Sequence, residues 1–301
     1  MYQLLGRISR GLPPSRTKVR LGKLHCRAAP AHSAIPVTMR DGTVIVLDPR
    51  CRTEGTPFWD GLFDEHTVAV LKACTEFGRS VYDVGANVGL IGLPLARRLR
   101  GAGGGTVTFF DPVPENFSRI LDGISLNGLS GTTRALNTAL GDSDGEIRVT
   151  VESRRGSLTG NASIFNGAAP GGGVRVAGAR IQPLDAVVER EGLPLPDVIK
   201  IDVEGAETLV LSGAEGTIQR QRPIILGEFH AGLMPGFGHT FLDVAAKAKA
   251  WNYRIYKFVR DYRLDLVTEP KAGMGNALLA PAERAGDLEG LFLELDRKSP
   301  T

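Results

Sequence analysis

From residue 79 onward the chain alternates short apolar runs with amphipathic ones, and this rhythm limits the available folds more than any other feature. Strands are expected at 79–84, 106–111, 133–140, 197–202, 223–229, 253–259 and 275–281, with helices near 88–100, 114–127, 184–192, 206–220 and 239–251. Strands this short and apolar, separated by helices, need cover on both faces. That requirement selects a largely parallel, doubly wound α/β sheet, whose ligands bind outside the carboxyl ends of the strands. Upstream, DGTVIVLDP reads as a short strand and LFDEHTVAVLKACTEF, residues 62–77, as a helix. One segment breaks the alternation. Residues 141–180 hold two strand-like runs, 145–152 and 174–180, around a loop rich in Gly, Ser and Asn. This is a β-hairpin insertion near the ligand end of the sheet, either a wall over the site or a surface excursion without a role.

The stretch VYDVGANVG, residues 81–89, spells a strand, a tight turn and a helix start. Glycines there permit positive φ and let a ligand approach the main chain. The letters are not those of a G-x-G-x-x-G dinucleotide turn, because Asn87 stands where the second glycine belongs. Asp83, just before Gly85, repels phosphate and suits a cationic or hydroxyl-rich ligand. S-adenosylmethionine, with a sulfonium, an ammonium and a ribose but no phosphate, meets that description. The plainer alternative is an ordinary strand-to-helix turn capped by Asp or Asn.

Further acids fall at successive strand ends. Asp111 closes the second strand in FFDPVPEN, where a carboxylate accepts from ribose hydroxyls or merely caps the following helix. In TALGDSDG, the backbone of Ala139 and Leu140 faces an adenine ring and Asp142 accepts from its amine, although GDSDG is also an ordinary turn composition. Asp202 ends the fourth strand, in VIKIDVEGAE, followed by Glu204 in the turn and Glu207 in the first helical turn, where a structural role suffices. Glu228 and His230, two residues apart in GEFH, share one face at the end of the fifth strand.

Residues 1–40 carry eight of the 36 Lys and Arg residues and none of the 33 Asp and Glu, so the rest of the chain is mildly acidic. The division expected is a poorly ordered basic arm over 1–40, alternatively a transit peptide, and one domain over 41–301. A mildly acidic body does not indicate a nucleic-acid-binding domain, and no apolar run approaches the ~20 residues of a membrane span. Cys26, Cys51 and Cys74 are odd in number and lack metal spacing, which favours free thiols in a reducing cytoplasm.

Taken in order, DVGANVG, FFDPVPENF, NTALGDSDGE, PLDAVVE, DVIKIDVEGAETLVLSGA and PIILGEFH resemble the FkbM-type S-adenosylmethionine-dependent methyltransferases, over roughly residues 41–281. The resemblance implies a class I methyltransferase fold: a doubly wound, mostly parallel seven-stranded sheet whose last strand is antiparallel. It implies S-adenosylmethionine over Asp83, Gly85 and Asp111, and methyl transfer, mainly to hydroxyls of sugars, glycolipids and other natural products. The family usually has Glu where this chain has Asp111. The cofactor set expected is therefore Asp83, Gly85, Asn87, Gly89, Asp111, Ala139 and Asp142.

An alcohol is a poor nucleophile until its proton begins to leave, so a base is needed. His230 is the expected base, with Asp202 positioning it or the acceptor and Glu228 completing the catalytic set. Alternatively Asp202, Glu204 and Glu228 gather a hard cation such as Mg2+, which no spacing in the sequence requires. The expected partner is a small hydroxylated acceptor, without nucleic acid or membrane span, and a homo-oligomer is left open. Two readings compete: an N-methyltransferase, and a non-catalytic binding protein of the same fold.

Overall fold

The computed structural model describes residues 2–25, 34–51, 53–152, 162–164, 174–258 and 263–298. The strands are β1 (Ile35–Thr38), β2 (Val44–Leu47), β3 (Ser80–Val84), β4 (Thr106–Phe110), β5 (Thr133–Leu136), β6 (Ala139–Leu140), β7 (Gly145–Glu152), β8 (Ala162–Ile164), β9 (Val174–Gln182), β10 (Val198–Ile201), β11 (Ile224–Gly227), β12 (Tyr253–Phe258), β13 (Leu264–Leu266) and β14 (Ala277–Pro281). The helices are α1 (Tyr2–Gly11), α2 (Arg16–His25), α3 (Gly55–Asp60), α4 (Glu65–Cys74), α5 (Gly92–Gly101), α6 (Pro114–Leu126), α7 (Leu184–Glu191), α8 (Glu207–Gly213), α9 (Glu215–Gln221), α10 (Phe241–Ala250) and α11 (Ala285–Lys298).

The central sheet has eight strands in the order β13-β12-β14-β11-β10-β3-β4-β5. From β5 to β11 all neighbours are parallel, and β14 enters antiparallel between β11 and β12. This is the α/β doubly wound order expected, with one addition. The seven anticipated strands are joined by β13, which pairs antiparallel with β12 at the edge. Successive strand residues point to opposite faces, so each strand feeds two cores. Val81, Val107, Val198 and Ile224 enter the core under α4, α5 and α11, whereas Tyr82, Ile199 and Ile225 enter the one under α7, α8 and α10.

The expected third strand, 133–140, is two strands. β5 ends at Leu136, Asn137 turns its side-chain amide to donate to the Asp111 carbonyl at 2.8 Å, and β6 joins a separate four-stranded sheet ordered β6-β9-β7-β8. That second sheet is the insertion, and β7 and β9 form its antiparallel hairpin. Much of its loop lies outside the described residues. The expected single helix at 206–220 is likewise broken at Ala214, into α8 and α9. Asp185 fixes this break by accepting from the Gly216 and Thr217 amides at 2.8 and 2.7 Å.

The basic arm corrects the expectation of loose chain over residues 2–25. α1 and α2 are helical and pack on α3: Ser9 donates to the Trp59 carbonyl at 2.8 Å and Arg10 donates to the Phe58 carbonyl. Gly6 lies against the Phe58 ring and Gly22 against the Trp59 ring, so closely that a Cβ at Gly22 would stand 2.3 Å from Trp59 Cδ2. The Glu54 and Arg119 side chains, both buried, form an ion pair that ties the start of α3 to α6, and Arg119 also donates to the Val46 carbonyl on β2. Cys51 and Cys74 are buried free thiols, each pushed up to about 12, chiefly by burial, and Cys26 lies outside the described residues. Among the described residues no helix is long and apolar enough to cross a membrane.

Candidate active site

A cavity of about 420 Å³ opens at the carboxyl ends of β3, β4, β10 and β11, a size suited to a nucleoside-sized ligand. Its walls come from four places. The β3 turn gives Gly85, Ala86 and Asn87, and the β4 end gives Asp111 and Pro112. β10 and β11 give Lys200, Asp202, Glu204 and Glu228, and the insertion roofs the cavity with Ala139, Leu140, Val149 and Ile164. Phe63 and Asp64, at the start of α4, complete the front. The insertion is therefore a wall of the cavity.

The β3 turn is built by its own packing. Gly85 has φ +72°, and a Cβ there would stand 1.8 Å from the Asp202 carbonyl oxygen. Its glycine is needed so that the turns after β3 and β10 can meet, a different reason from clearance for a ligand. Gly89, at φ +81°, likewise abuts Leu93 and does not line the cavity. Asn87 adopts φ +52°, a left-handed conformation that asparagine tolerates better than most residues.

Asp83 does not reach the cavity. It is fully buried beneath α5, its Oδ1 3.2 Å from Lys200 Nζ, and its Oδ2 faces Gly92 in the first turn of that helix. Lys200 is its direct neighbour across the β3–β10 register and also donates to the Gly85 carbonyl at 2.9 Å and pairs with Asp202 at 3.5 Å. Burial works against the lysine charge, but Asp83 and Asp202 outweigh it and hold the ammonium above the usual lysine range. Asp83 is thus the counter-charge of a lysine in an apolar strand and is not part of the cavity wall. Lys200 is the residue the sequence reading passed over. A lysine inside the run VIKI was its visible signal, since a buried ammonium demands an acid.

Asp111 lines the cavity but is tightly engaged. Its Oδ2 accepts from the Asn87 amide at 2.8 Å, and its Oδ1 accepts from the Val113 amide at 2.9 Å and Asn116 Nδ2 at 3.1 Å. Burial lifts its carboxyl to about 7 despite these bonds. Around it, Asn87 Oδ1 and Asn116 Oδ1 are buried without a donor among the described residues. Unpaired acceptors of this kind call for O–H or N–H groups from a ligand or water.

The rim beyond is carboxylate-rich. Glu204 sits at φ +55°, in a turn that Glu207 braces by accepting from the Gly205 and Val203 amides at 2.9 and 3.3 Å. Glu207 therefore has the structural role open to it from the sequence. Burial, and then the charge of Asp202, raise Glu204 to about 7, and the same two causes raise Glu228. His230 is exposed and stands outside the cavity wall, although near enough to Glu204 and Glu228 to favour their ionised forms. Asp142 is exposed and also off the wall. The cavity thus brings together Gly85, Asn87, Asp111, Ala139, Asp202 and Glu228, and leaves out Asp83, Gly89, Asp142 and His230. Among the described residues no three His, Cys, Asp or Glu side chains are gathered as metal ligands.

Residues 83–255 match the methyltransferase FkbM domain family. The chain is 28% identical over 178 residues to the hexuronic acid methyltransferase AglP of Haloferax volcanii, covering 57% of this chain and 64% of that protein, so it spans less than two thirds of that relative. Solved structures with a distant likeness include the methyltransferase FkbM of Methylobacillus flagellatus, 15% identical, TM-score 0.42, covering 67% of this chain and 43% of that one. Another is an O-methyltransferase of Bacillus cereus in complex with SAH, 13% identical, TM-score 0.43, covering 93% and 99%. Likenesses at that level carry no weight beside the strand order.

Proposed function

Since the chain belongs to the methyltransferase FkbM domain family, we propose that it transfers a methyl group from S-adenosylmethionine to a hydroxyl of a sugar, glycolipid or other natural product. The observation that carries this reading is the chemistry of the cavity. Its wall is rich in acceptors and carboxylates, and Lys200, the one cation among the described lining residues, is held by Asp83 and Asp202. Such a site repels phosphate and favours a ligand carrying a sulfonium, an ammonium and two ribose hydroxyls.

The residues present fit that ligand. Asp111, Asn87 and Asn116 would receive the ribose hydroxyls, the apolar wall of Phe110, Ala139 and Leu140 would take the adenine, and Asp202 and Glu204 would face the cationic end. Bound S-adenosylmethionine supplies an electrophilic methyl group on a good leaving group. The protein must then align the acceptor oxygen and take its proton. His230 is proposed as the base, because a proton taken onto its ring nitrogen leaves an imidazolium facing Glu204 and Glu228. Asp202 and Glu228 position the acceptor.

The hexuronic acid in the relative's name makes sugars the first acceptors to try. The carboxylate rim would repel a uronate, so neutral glycosides should be the better acceptors. Methyl uptake from labelled S-adenosylmethionine, assayed across neutral glycosides, hexuronic acids and amines, tests the reading. Incorporation into a hydroxyl is expected. Incorporation only into amines would replace it with the N-methyltransferase.

A further inference from the structure

Four of the eleven large apolar side chains that the described residues leave exposed fall within residues 4–12: Leu4 at 64%, Leu5 at 40%, Ile8 at 55% and Leu12 at 52%. On a helix with 3.6 residues per turn, Leu4, Leu5 and Ile8 lie within an arc of about 100°. The arc differs from the face that docks on α3, which carries Gly6 and Ser9. α1 is therefore amphipathic twice over, with one face seated on the protein and another turned to solvent. Charge accompanies the stripe. Arg7, Arg16 and Arg20 are exposed, and residues 1–40 hold no acid to balance them.

From this pairing of an exposed apolar stripe with an uncompensated basic surface, we infer that α1 and α2 form a docking surface for an anionic lipid bilayer. The apolar side chains enter the boundary between headgroups and acyl chains while the arginines meet the negative surface. A protein partner would need no such one-signed charge, and scattered exposed leucines elsewhere on the chain lack it. α1 packs on α3, and Thr53 and Phe63 on either side of that helix line the cavity. The docking does not rest on the methyl-transfer reading.

The test is co-sedimentation of the full chain with vesicles of phosphatidylcholine alone or with about 30% phosphatidylglycerol, at low and high salt. Saturable binding to the anionic vesicles that weakens with salt is expected. Arg7→Gln should weaken it about fivefold, the equivalent of about 1 kcal/mol for one cation at a charged surface. Ile8→Asp should weaken it more than tenfold, and because both side chains are exposed, circular dichroism should show each variant folded. No binding to either vesicle, equal binding to both, or loss of the stripe by self-association of the wild-type chain would overturn the inference. If vesicles bind but no acceptor is methylated, the docking stands and the methyl-transfer reading falls.

Discussion

The two ends of the cavity are built on opposite terms. At the inner end, between β3 and β4, polar groups are held by backbone: Asp111 accepts three hydrogen bonds from its own neighbourhood, and Gly85 packs against the Asp202 carbonyl. At the outer end, between β10 and β11, Asp202, Glu204 and Glu228 crowd together under the influence of His230 and Asp64. The inner end is fixed in shape, as cofactor binding needs. The outer end stores mutual repulsion that an incoming cation or a proton relieves, as group transfer needs.

This contrast predicts that changes at the inner end cost folding and changes at the outer end cost turnover. Gly85→Ala should destabilise the chain most, by about 4 kcal/mol or more, because the new Cβ meets backbone that cannot move aside. Urea titration checks it. Lys200→Met should cost about 3–5 kcal/mol by leaving Asp83 charged and buried without a partner. Adding Asp83→Asn should recover part of that loss, and a double-mutant cycle without coupling would contradict the pairing. His230→Ala should lower turnover roughly 10²-fold with cofactor affinity retained. Undiminished turnover would remove His230 from the mechanism.

The smallest effect is on pH. Asp111 and Glu204 ionise near 7 when folded and near 4 when unfolded. The folded state therefore holds more protons between these values, and the stability these groups confer, complete below about 4, is lost as pH rises through 7. Ionisation makes the cavity more negative over the same range. Affinity for S-adenosylmethionine should thus rise from pH 6 to pH 8 while the thermal midpoint of the free protein falls. Asp111→Asn should flatten both curves.

Much of the core was legible because its signals are local. The apolar runs at β3, β4, β10, β11, β12 and β14 gave the strands to within one or two residues, and the GANVG turn gave the ligand end. What escaped depended on partners distant in sequence. The pairing of Asp83 with Lys200, its neighbour across the sheet, is one such contact. The break at Ala214 depends on Asp185, and the docking of α1 and α2 depends on Phe58 and Trp59. β13 is a three-residue edge strand whose LDL carries little pattern of its own. His230 shared a strand end with Glu228 as its spacing required, yet it stands outside the wall because the chain leaves β11 at Gly227.

The most direct measurement is titration calorimetry of the purified chain with S-adenosylmethionine and, separately, with NAD, for the wild type and Asp111→Ala. Saturable binding of S-adenosylmethionine is expected, weakened at least tenfold by Asp111→Ala through loss of an ionised acceptor, with no heat from NAD. Binding of NAD, or no binding of S-adenosylmethionine by folded protein, would contradict it.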